Sequence, residues 1–143
     1  MLATAGKRWL FRSLLFTAGH DPRYIQKALK SEADCVVLDL EDAVPAAAKE
    51  EARNLVRDTI EGHKRGARPV FVRINPFDSG LHLDDLNTVA CEGLSGFVYP
   101  KCFGPEDIQA FDVMLRMKES VLGLPEGYFS VIVLMETPQA ILH

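Results

Sequence analysis

Charged or polar side chains follow each of five short apolar runs along this chain of 143 residues. In α/β proteins, reactive groups collect at the carboxyl ends of parallel strands. The residues at the ends of these runs are Thr17, Asp39-Leu40-Glu41-Asp42, Arg73 with Asn75, Lys101, and Glu136. We therefore expect Thr17, Glu41, Arg73, Lys101 and Glu136 to lie on one face, around a common cleft.

The carboxylates are candidates for binding a hard cation. Asp39, Glu41 and Asp42 place three carboxylates within four positions, and oxygen ligands of this kind suit Mg²⁺ and its bound water. The same acids could instead complement the dipole of a helix that starts near Pro45. Glu136 ends a strand too apolar for the surface. Its carboxylate must be paired, metal-bound or solvated in a cleft, unless it caps the next helix.

Two cations could bind an anionic substrate at the same strand ends. Arg73 can hold a carboxylate through two hydrogen bonds, or it can form an ordinary surface ion pair. Lys101, which follows Pro100, could add a second positive charge to the pocket or could be a solvated lysine. His20 follows the first strand end and either faces the cleft or belongs to a loop.

Helical segments alternate with the apolar runs. Helices are predicted from Asp21-Pro22, over about 45–64 with Gly66 as the C-terminal cap, over 83–91, and from Gly104. The order β-α-β-α-β-α-β-α-β predicts parallel strands joined by right-handed crossovers. A doubly wound five-stranded sheet and the first part of an eight-stranded barrel both fit, and a barrel typically needs ~250 residues. Length alone favours the doubly wound sheet.

Composition excludes some function classes. A formal net charge of −4 argues against a nucleic-acid partner, and no run reaches the ~18 apolar residues needed to span a membrane. Cys35, Cys91 and Cys102 lack metal-ligand spacing and indicate a reducing, cytoplasmic location. The basic residues before Leu14 faintly resemble a targeting leader, but Arg12 interrupts the apolar stretch. We expect one domain over 1–143, with 1–11 as an N-terminal extension.

Several motifs occur together in a fixed order. They are Arg12-Ser-Leu-Leu-Phe16 with Gly19, Asp39-Leu-Glu-Asp-Ala-Val44 with Lys49 and Ala52-Arg53, Val72-Arg-Ile-Asn75, Pro100-Lys101 and Glu136-Thr-Pro138. This set resembles the citrate lyase β-subunit-like family of the HpcH/HpaI aldolases, which includes malyl-CoA and citramalyl-CoA lyases. The resemblance extends from about Arg12 to the end of the chain.

The resemblance implies a partial (β/α)₈ TIM barrel, with about five strands and four helices of the family's eight-stranded barrel, and it overrides the preference based on length. It also implies Mg²⁺ and the reversible carbon–carbon cleavage of a hydroxyacyl-CoA thioester into an acyl-CoA and an oxo acid. The full-length family enzyme is expected to be a homo-oligomer.

The resemblance also implies roles for individual residues. Glu136 matches a Mg²⁺ ligand that also contacts substrate, and Arg73 matches the arginine that holds substrate and steadies the enolate. Glu41 and Asp42 match acids that support the water shell of the metal, and we group them with Arg73 as catalytic. Arg12 matches an arginine near the thioester, and Lys101 is a further candidate for substrate binding.

Two departures from the family pattern affect the expected function. Ala18 stands where family members often carry proline. The second metal carboxylate of the family, an Asp on a later strand, has no counterpart before His143, so we expect a fragment of the enzyme. The alternatives are a class II aldolase acting on free acids of the pyruvate type and a non-catalytic homologue that binds acyl-CoA. A phospho-acceptor receiver domain fits poorly, because Arg73 stands where its lone Asp would be.

Overall fold

A computed structural model describes residues 10–63 and 68–142 of the chain. Strands and helices alternate along it. The strands are β1 (Leu14–Ala18), β2 (Cys35–Asp39), β3 (Val70–Arg73), β4 (Gly96–Tyr99) and β5 (Ser130–Val133). The helices are α1 (Pro22–Leu29), α2 (Lys49–Gly62), α3 (His82–Val89), α4 (Pro105–Val121) and α5 (Pro138–Leu142). Short 3₁₀ turns at Ala46–Ala48 and Phe77–Ser79 precede α2 and α3.

The predicted order of elements is confirmed, and α5 is added to it. Helix α1 begins as predicted: the Asp21 side chain accepts a hydrogen bond from the Arg23 N–H at 2.8 Å, and Pro22 occupies the first turn. The predicted cap at Gly66 lies outside the described residues, as do the last predicted residue of that helix, Lys64, and positions 1–9 of the N-terminal extension.

The strand order decides between the two candidate folds. The five strands are parallel and lie in the order β1-β2-β3-β4-β5, so each pairs with its neighbour in sequence. A doubly wound sheet needs a point where the strand order reverses, and the described sheet has none. The doubly wound arrangement favoured by length is therefore wrong. The fold is α/β with the winding of a partial (β/α)₈ barrel.

The two faces of the sheet have different environments, because successive strand residues point to opposite sides. The larger apolar cluster joins one face to the helices and includes Val36, Val72, Val56 and Phe111. The smaller cluster covers the other face, which is the barrel interior, and contains Cys35, Val37, Phe71 and Val98, with Phe11, Ile132 and Leu134 packed against it.

Phe71 fills the amino-terminal part of this interior. Its ring meets that of Phe11 edge-on at a centroid separation of 5.9 Å. A Cβ atom on Gly96 would lie 1.9 Å from the Ser130 carbonyl oxygen and 2.8 Å from the Phe71 ring. Only glycine therefore allows β4 to pack this closely against β5 and Phe71. The apolar side chains thus occupy the amino-terminal part of the interior. The next inward-facing pair along β2 and β3 is Asp39 and Arg73, which therefore lies at the carboxyl end.

Two further properties bear on the expectations from sequence. The three cysteines, all among the described residues, are buried free thiols. Across 10–63 and 68–142, no helix combines the length and apolar character that a transmembrane span would require.

Candidate active site at the carboxyl ends of the strands

A buried ion pair joins the ends of β2 and β3. Asp39 and Arg73 are register partners, and their side chains are only 2% and 15% exposed. Arg73 Nε and Nη2 donate to the two Asp39 oxygens at 2.7 and 2.6 Å, which is the paired geometry that arginine forms with a carboxylate. Asp39 also accepts the N–H groups of Glu41 and Ala43 at 2.9 and 3.1 Å.

These contacts keep both groups charged. Burial by itself raises the pKa of Asp39, but the hydrogen bonds from Arg73 and from the Glu41 N–H outweigh it and lower that pKa below its ordinary value. The hydrogen bond to Asp39 raises the pKa of Arg73. Asp39 is therefore a carboxylate at neutral pH, and its negative charge holds the Arg73 guanidinium in place.

Glu41 lies between two cations in the same interior. Its Oε2 is 3.0 Å from Arg73 Nη1 and its Oε1 is 2.8 Å from Lys101 Nζ, while the side chain is 3% exposed. Neither oxygen accepts a well-directed hydrogen bond, so we treat both contacts as ion pairs. Burial raises the pKa of Glu41 in spite of the nearby cations, and a raised carboxyl pKa is a common property of groups that transfer protons.

Lys101 connects the ends of β2, β4 and β5. Its backbone N–H donates to Glu136 Oε1 at 2.8 Å, and its Nζ also lies 3.6 Å from Asp42. The contact with the Glu41 carboxylate raises the pKa of Lys101. Its φ of 48° is left-handed, the single such non-glycine residue in the described part of the chain. Strained backbone of this kind costs on the order of 1–3 kcal/mol and is found preferentially at functional sites.

Glu136 and Asp42 are the solvent-facing carboxylates of the cluster. Glu136 is exposed and forms no hydrogen bond within the described residues except that from the Lys101 N–H. The Asp42 side chain is 68% exposed. No three His, Cys, Asp or Glu side chains in 10–63 and 68–142 are grouped to hold a metal. Mg²⁺ often takes one or two carboxylates and keeps several waters, so these hard oxygen donors fit part of a Mg²⁺ site.

A family model described as HpcH/HpaI aldolase/citrate lyase matches residues 12–143 of the chain. The chain belongs to this family. It is 35% identical over 136 residues to the mitochondrial citramalyl-CoA lyase of Rattus norvegicus and 37% identical over 120 residues to the (3S)-malyl-CoA thioesterase of Cereibacter sphaeroides. These alignments cover 92% and 80% of this chain but 39% and 42% of the relatives. The chain thus spans about two fifths of the length of these two relatives.

A solved structure of the family supports the same fold. The citrate lyase β subunit from M. tuberculosis, complexed with oxaloacetate and magnesium, is 30% identical to this chain with a TM-score of 0.63. The match covers 90% of this chain and 49% of that protein. Both the family resemblance and the partial barrel expected from the motifs are therefore confirmed.

In this member of the HpcH/HpaI family, the structure brings together most of the residues predicted at the strand ends. Glu41, Arg73, Lys101 and Glu136 form one connected set through the contacts above. Thr17 lies near the carboxyl end of β1, but its register partner is Leu38, which belongs to the cluster facing the helices. Thr17 is therefore at the right end of the sheet and on its outer face.

Arg12 is not brought to this set. It precedes β1, so it lies at the amino end of the strand, opposite to the cluster. Its side chain is 88% exposed and pairs with Asp34, which precedes β2, at 2.7 Å. The expected place of Arg12 beside the thioester has no support in this geometry, and we leave it out of the proposed site.

The motifs contain Lys49, Arg53 and Asn75, but sequence reasoning gave them no role and missed the polar network that they form with Asp85 behind the first cluster. Lys49, Arg53, Asn75 and Asp85 connect α2 and α3 to the loops after β2 and β3. Asn75 follows Arg73 closely in sequence, and its amide lies in this network. Spacing offers no signal for these contacts, because they join residues 10 to 32 positions apart.

Proposed function

We propose that the natural full-length protein is a Mg²⁺-dependent carbon–carbon lyase. It would cleave a hydroxyacyl-CoA thioester of the citryl, malyl or citramalyl type into an acyl-CoA and an oxo acid. The observation that carries the proposal is Arg73, a largely buried arginine held by Asp39 and Glu41 in the strand-end cluster that Lys101 connects to Glu136. Relatives named as citramalyl-CoA lyase and as an oxaloacetate- and magnesium-bound citrate lyase subunit support it.

The reaction needs a site that removes one proton and stabilises negative charge. The hydroxyl group loses its proton, the C–O bond becomes the carbonyl of the oxo acid, and the neighbouring C–C bond breaks. The electron pair of that bond moves into the thioester as an enolate, which takes up a proton on carbon to give the acyl-CoA. The two most demanding moments are therefore the loss of the hydroxyl proton and the growth of charge on the thioester oxygen.

Arg73 suits the second requirement. Three of its N–H groups engage Asp39 and Glu41, and a guanidinium has five. Two donors remain for substrate oxygens, in a site where Asp39 and Glu41 have already fixed the side chain. A preorganised cation of this kind stabilises developing charge without rearranging during the reaction.

Glu41 suits the first requirement. It is a buried carboxylate whose pKa is raised by burial, so it accepts a proton more readily than an exposed glutamate does. Glu136 and Asp42 are the residues of this chain that would hold Mg²⁺, directly or through water. The bound ion would act as a Lewis acid on substrate oxygens.

The test is a product assay on the natural full-length protein. Malyl-, citramalyl- and citryl-CoA are supplied separately, with Mg²⁺ or with EDTA, and the acyl-CoA and oxo acid are measured together. We expect equal amounts of both products and loss of turnover in EDTA. We also expect Arg73→Lys to lower kcat by a factor of about 10²–10³, because lysine keeps the charge but cannot form the paired hydrogen bonds of a guanidinium. Arg116→Lys, at an exposed pair with Asp112, is the matched control. A protein that forms no oxo acid from any of the three thioesters refutes the proposal.

Thioester hydrolysis is the second candidate, favoured by the 37% identity to a (3S)-malyl-CoA thioesterase. In that reaction water adds to the thioester carbonyl, the C–S bond breaks, and the CoA thiol leaves with a proton. The same assay separates the two reactions, because hydrolysis releases a free thiol and leaves the hydroxy acid intact. Cleavage of free hydroxy acids alone would instead indicate an aldolase of the pyruvate type.

A further inference from the structure

Lys49 uses all three of its ammonium protons in contacts behind the proposed site. It opens α2, and its Nζ donates to the carbonyl oxygens of Leu40 and Glu41, each at 2.6 Å, and to Asn75 Oδ1 at 2.8 Å. Two of these acceptors are main-chain atoms of the loop that carries Glu41. The third is the side chain that follows β3.

The acceptors of Lys49 are themselves fixed by buried groups. Asn75 Nδ2 donates to the Leu40 carbonyl at 3.0 Å and to Asp85 Oδ2 at 2.7 Å, and the Asn75 N–H donates to the same Asp85 oxygen at 2.7 Å. Arg53 Nε donates to the other Asp85 oxygen at 2.7 Å. Asn75 and Asp85 are buried. The loop after β2 is therefore attached to α2, to α3 and to the end of β3.

This attachment matters because of how Glu41 is held on the other side. Its carboxylate accepts no well-directed hydrogen bond, and ion pairs with Arg73 and Lys101 fix distance better than direction. Its own N–H is bound to Asp39, and its carbonyl oxygen accepts from Lys49 Nζ at 2.6 Å and from the Val44 N–H at 3.1 Å. The direction of the Glu41 side chain is thus determined mainly by its main chain, to which Lys49 supplies the side-chain donor that reaches it from α2.

We propose that Lys49 is a positioning residue: by binding the Leu40 and Glu41 carbonyls and Asn75, it holds the Glu41 carboxylate between Arg73 and Lys101. The kinetic consequence rests on the proposed function, since it assumes that Glu41 takes part in turnover. The structural consequence, a loop that is less well held, does not depend on any activity.

The experiment compares Lys49→Met and Lys49→Arg with Lys27→Met, a control at an exposed lysine of α1, in the natural full-length protein. Loss of the hydrogen-bond partners that orient metal-site residues typically costs roughly 10- to 100-fold in activity, and we expect an effect of the same order for Lys49. We expect Lys49→Met to lower kcat by about that factor and to change KM less than threefold, with partial recovery in Lys49→Arg. Lys27→Met should match the unsubstituted protein. A residue that only stabilised the fold would lower the melting temperature without lowering kcat of the folded enzyme.

Amide hydrogen exchange provides the readout that needs no substrate. We expect the Glu41 amide to exchange about tenfold or more faster in Lys49→Met, while the Val72 amide in β3 keeps its rate. Equal acceleration at both amides would mean a global loss of stability and would overturn the proposal, as would a folded Lys49→Met protein with unchanged kcat and unchanged Glu41 exchange. If Lys49→Met does not fold, Lys49→Gln, which keeps an N–H₂ donor, is judged by the same two measurements. An inactive unsubstituted protein would refute the proposed function alone, since the exchange comparison still decides the role of Lys49.

Discussion

Replacing Arg73 with methionine removes the cation that two buried carboxylates share. Asp39 and Glu41 are 2% and 3% exposed, and Arg73 contacts both of them at 2.6–3.0 Å. Methionine fills similar volume without charge, so the change tests electrostatics more than packing. The natural full-length protein is the appropriate material for the measurement.

The size of the effect follows from what remains around the carboxylates. Breaking a buried ion pair by removing one partner typically costs about 3–5 kcal/mol, because an uncompensated charge is left behind. Asp39 keeps the N–H groups of Glu41 and Ala43, and Glu41 keeps Lys101. We therefore expect the free energy of unfolding to fall by about 3 kcal/mol at neutral pH, the lower end of that range.

The same reasoning fixes the pH dependence. Asp39 has a lowered pKa in the folded protein, so its contribution is present above the ordinary carboxyl pKa of about 3.9 and is lost as the pH falls through the folded value. Without Arg73, the effect of burial on Asp39 is no longer offset by a cation, so the Asp39 pKa rises. The variant then loses most stability at the pH values where Asp39 is ionised in the unsubstituted protein. The difference between the two proteins should therefore be largest near pH 7 and shrink towards about pH 4.

Urea unfolding at both pH values, followed by circular dichroism, measures this difference. Arg116→Met is the matched control, because Arg116 pairs with Asp112 and Glu126 on the surface, where ion pairs contribute little. If Arg73→Met costs no more than the control, or costs the same at both pH values, the buried pair does not have the energetic role assigned to it.

Three further predictions concern the candidate site, the exposed edges of the sheet and the close contact at Gly96. Glu136→Gln in the full-length protein should weaken Mg²⁺ binding, measured by calorimetry, and abolish turnover while circular dichroism stays unchanged, because the amide keeps the shape and loses the charge; full activity at limiting Mg²⁺ would contradict it. Residues 1–143 expressed alone should bind a hydrophobic dye or associate, and show no Mg²⁺-dependent cleavage, because Leu14 and Phe16 on β1 and Met135 after β5 are exposed at the open edges of the sheet; a monodisperse, active monomer would disprove this. Gly96→Ala should lower the free energy of unfolding by about 3 kcal/mol or prevent folding, because its Cβ would overlap the Ser130 carbonyl oxygen. Gly62→Ala, with nothing within 4 Å of its Cβ, is the control and should be neutral or slightly stabilising in thermal unfolding.

The sequence was sufficient for the order of elements because the apolar runs and helical faces are local patterns. It was not sufficient for the winding. The same alternation is compatible with a sheet whose order reverses and with one whose order does not, and chain length favoured the wrong one. The motif set, from Arg12 to Pro138, indicated the correct strand order, because it identifies a family of known fold. The alternation of apolar and polar residues identifies only the individual strands and helices.

The expectation that reactive groups collect at the carboxyl ends of strands correctly predicted that Glu41, Arg73, Lys101 and Glu136 lie together. The same expectation argues against Arg12. Arg12 comes before its apolar run, so the direction of the strand places it at the amino end. The choice of partner for Arg73 was also readable in part. Strand alternation places Asp39 at the end of β2 on the interior face, beside its register partner Arg73, whereas Glu41 and Asp42 lie in the loop after the strand, where alternation gives no information. The contacts of Lys49 depend on tertiary structure and had no local signal.

The formal charges of the cluster give a physical reason to expect a divalent cation. Asp39 and Glu41 are balanced by Arg73 and Lys101, so the inner part of the site is neutral. Asp42 and Glu136 add two negative charges on the solvent side, where the substrate must enter. An oxo acid or a hydroxyacyl thioester with a free carboxylate would be repelled by that surplus. One divalent ion would cancel it, and the remaining Arg73 donors would then face the anion unopposed. If the proposed function is correct, this charge arrangement favours joint binding of metal and substrate, and we expect activity and oxo-acid affinity both to depend on Mg²⁺.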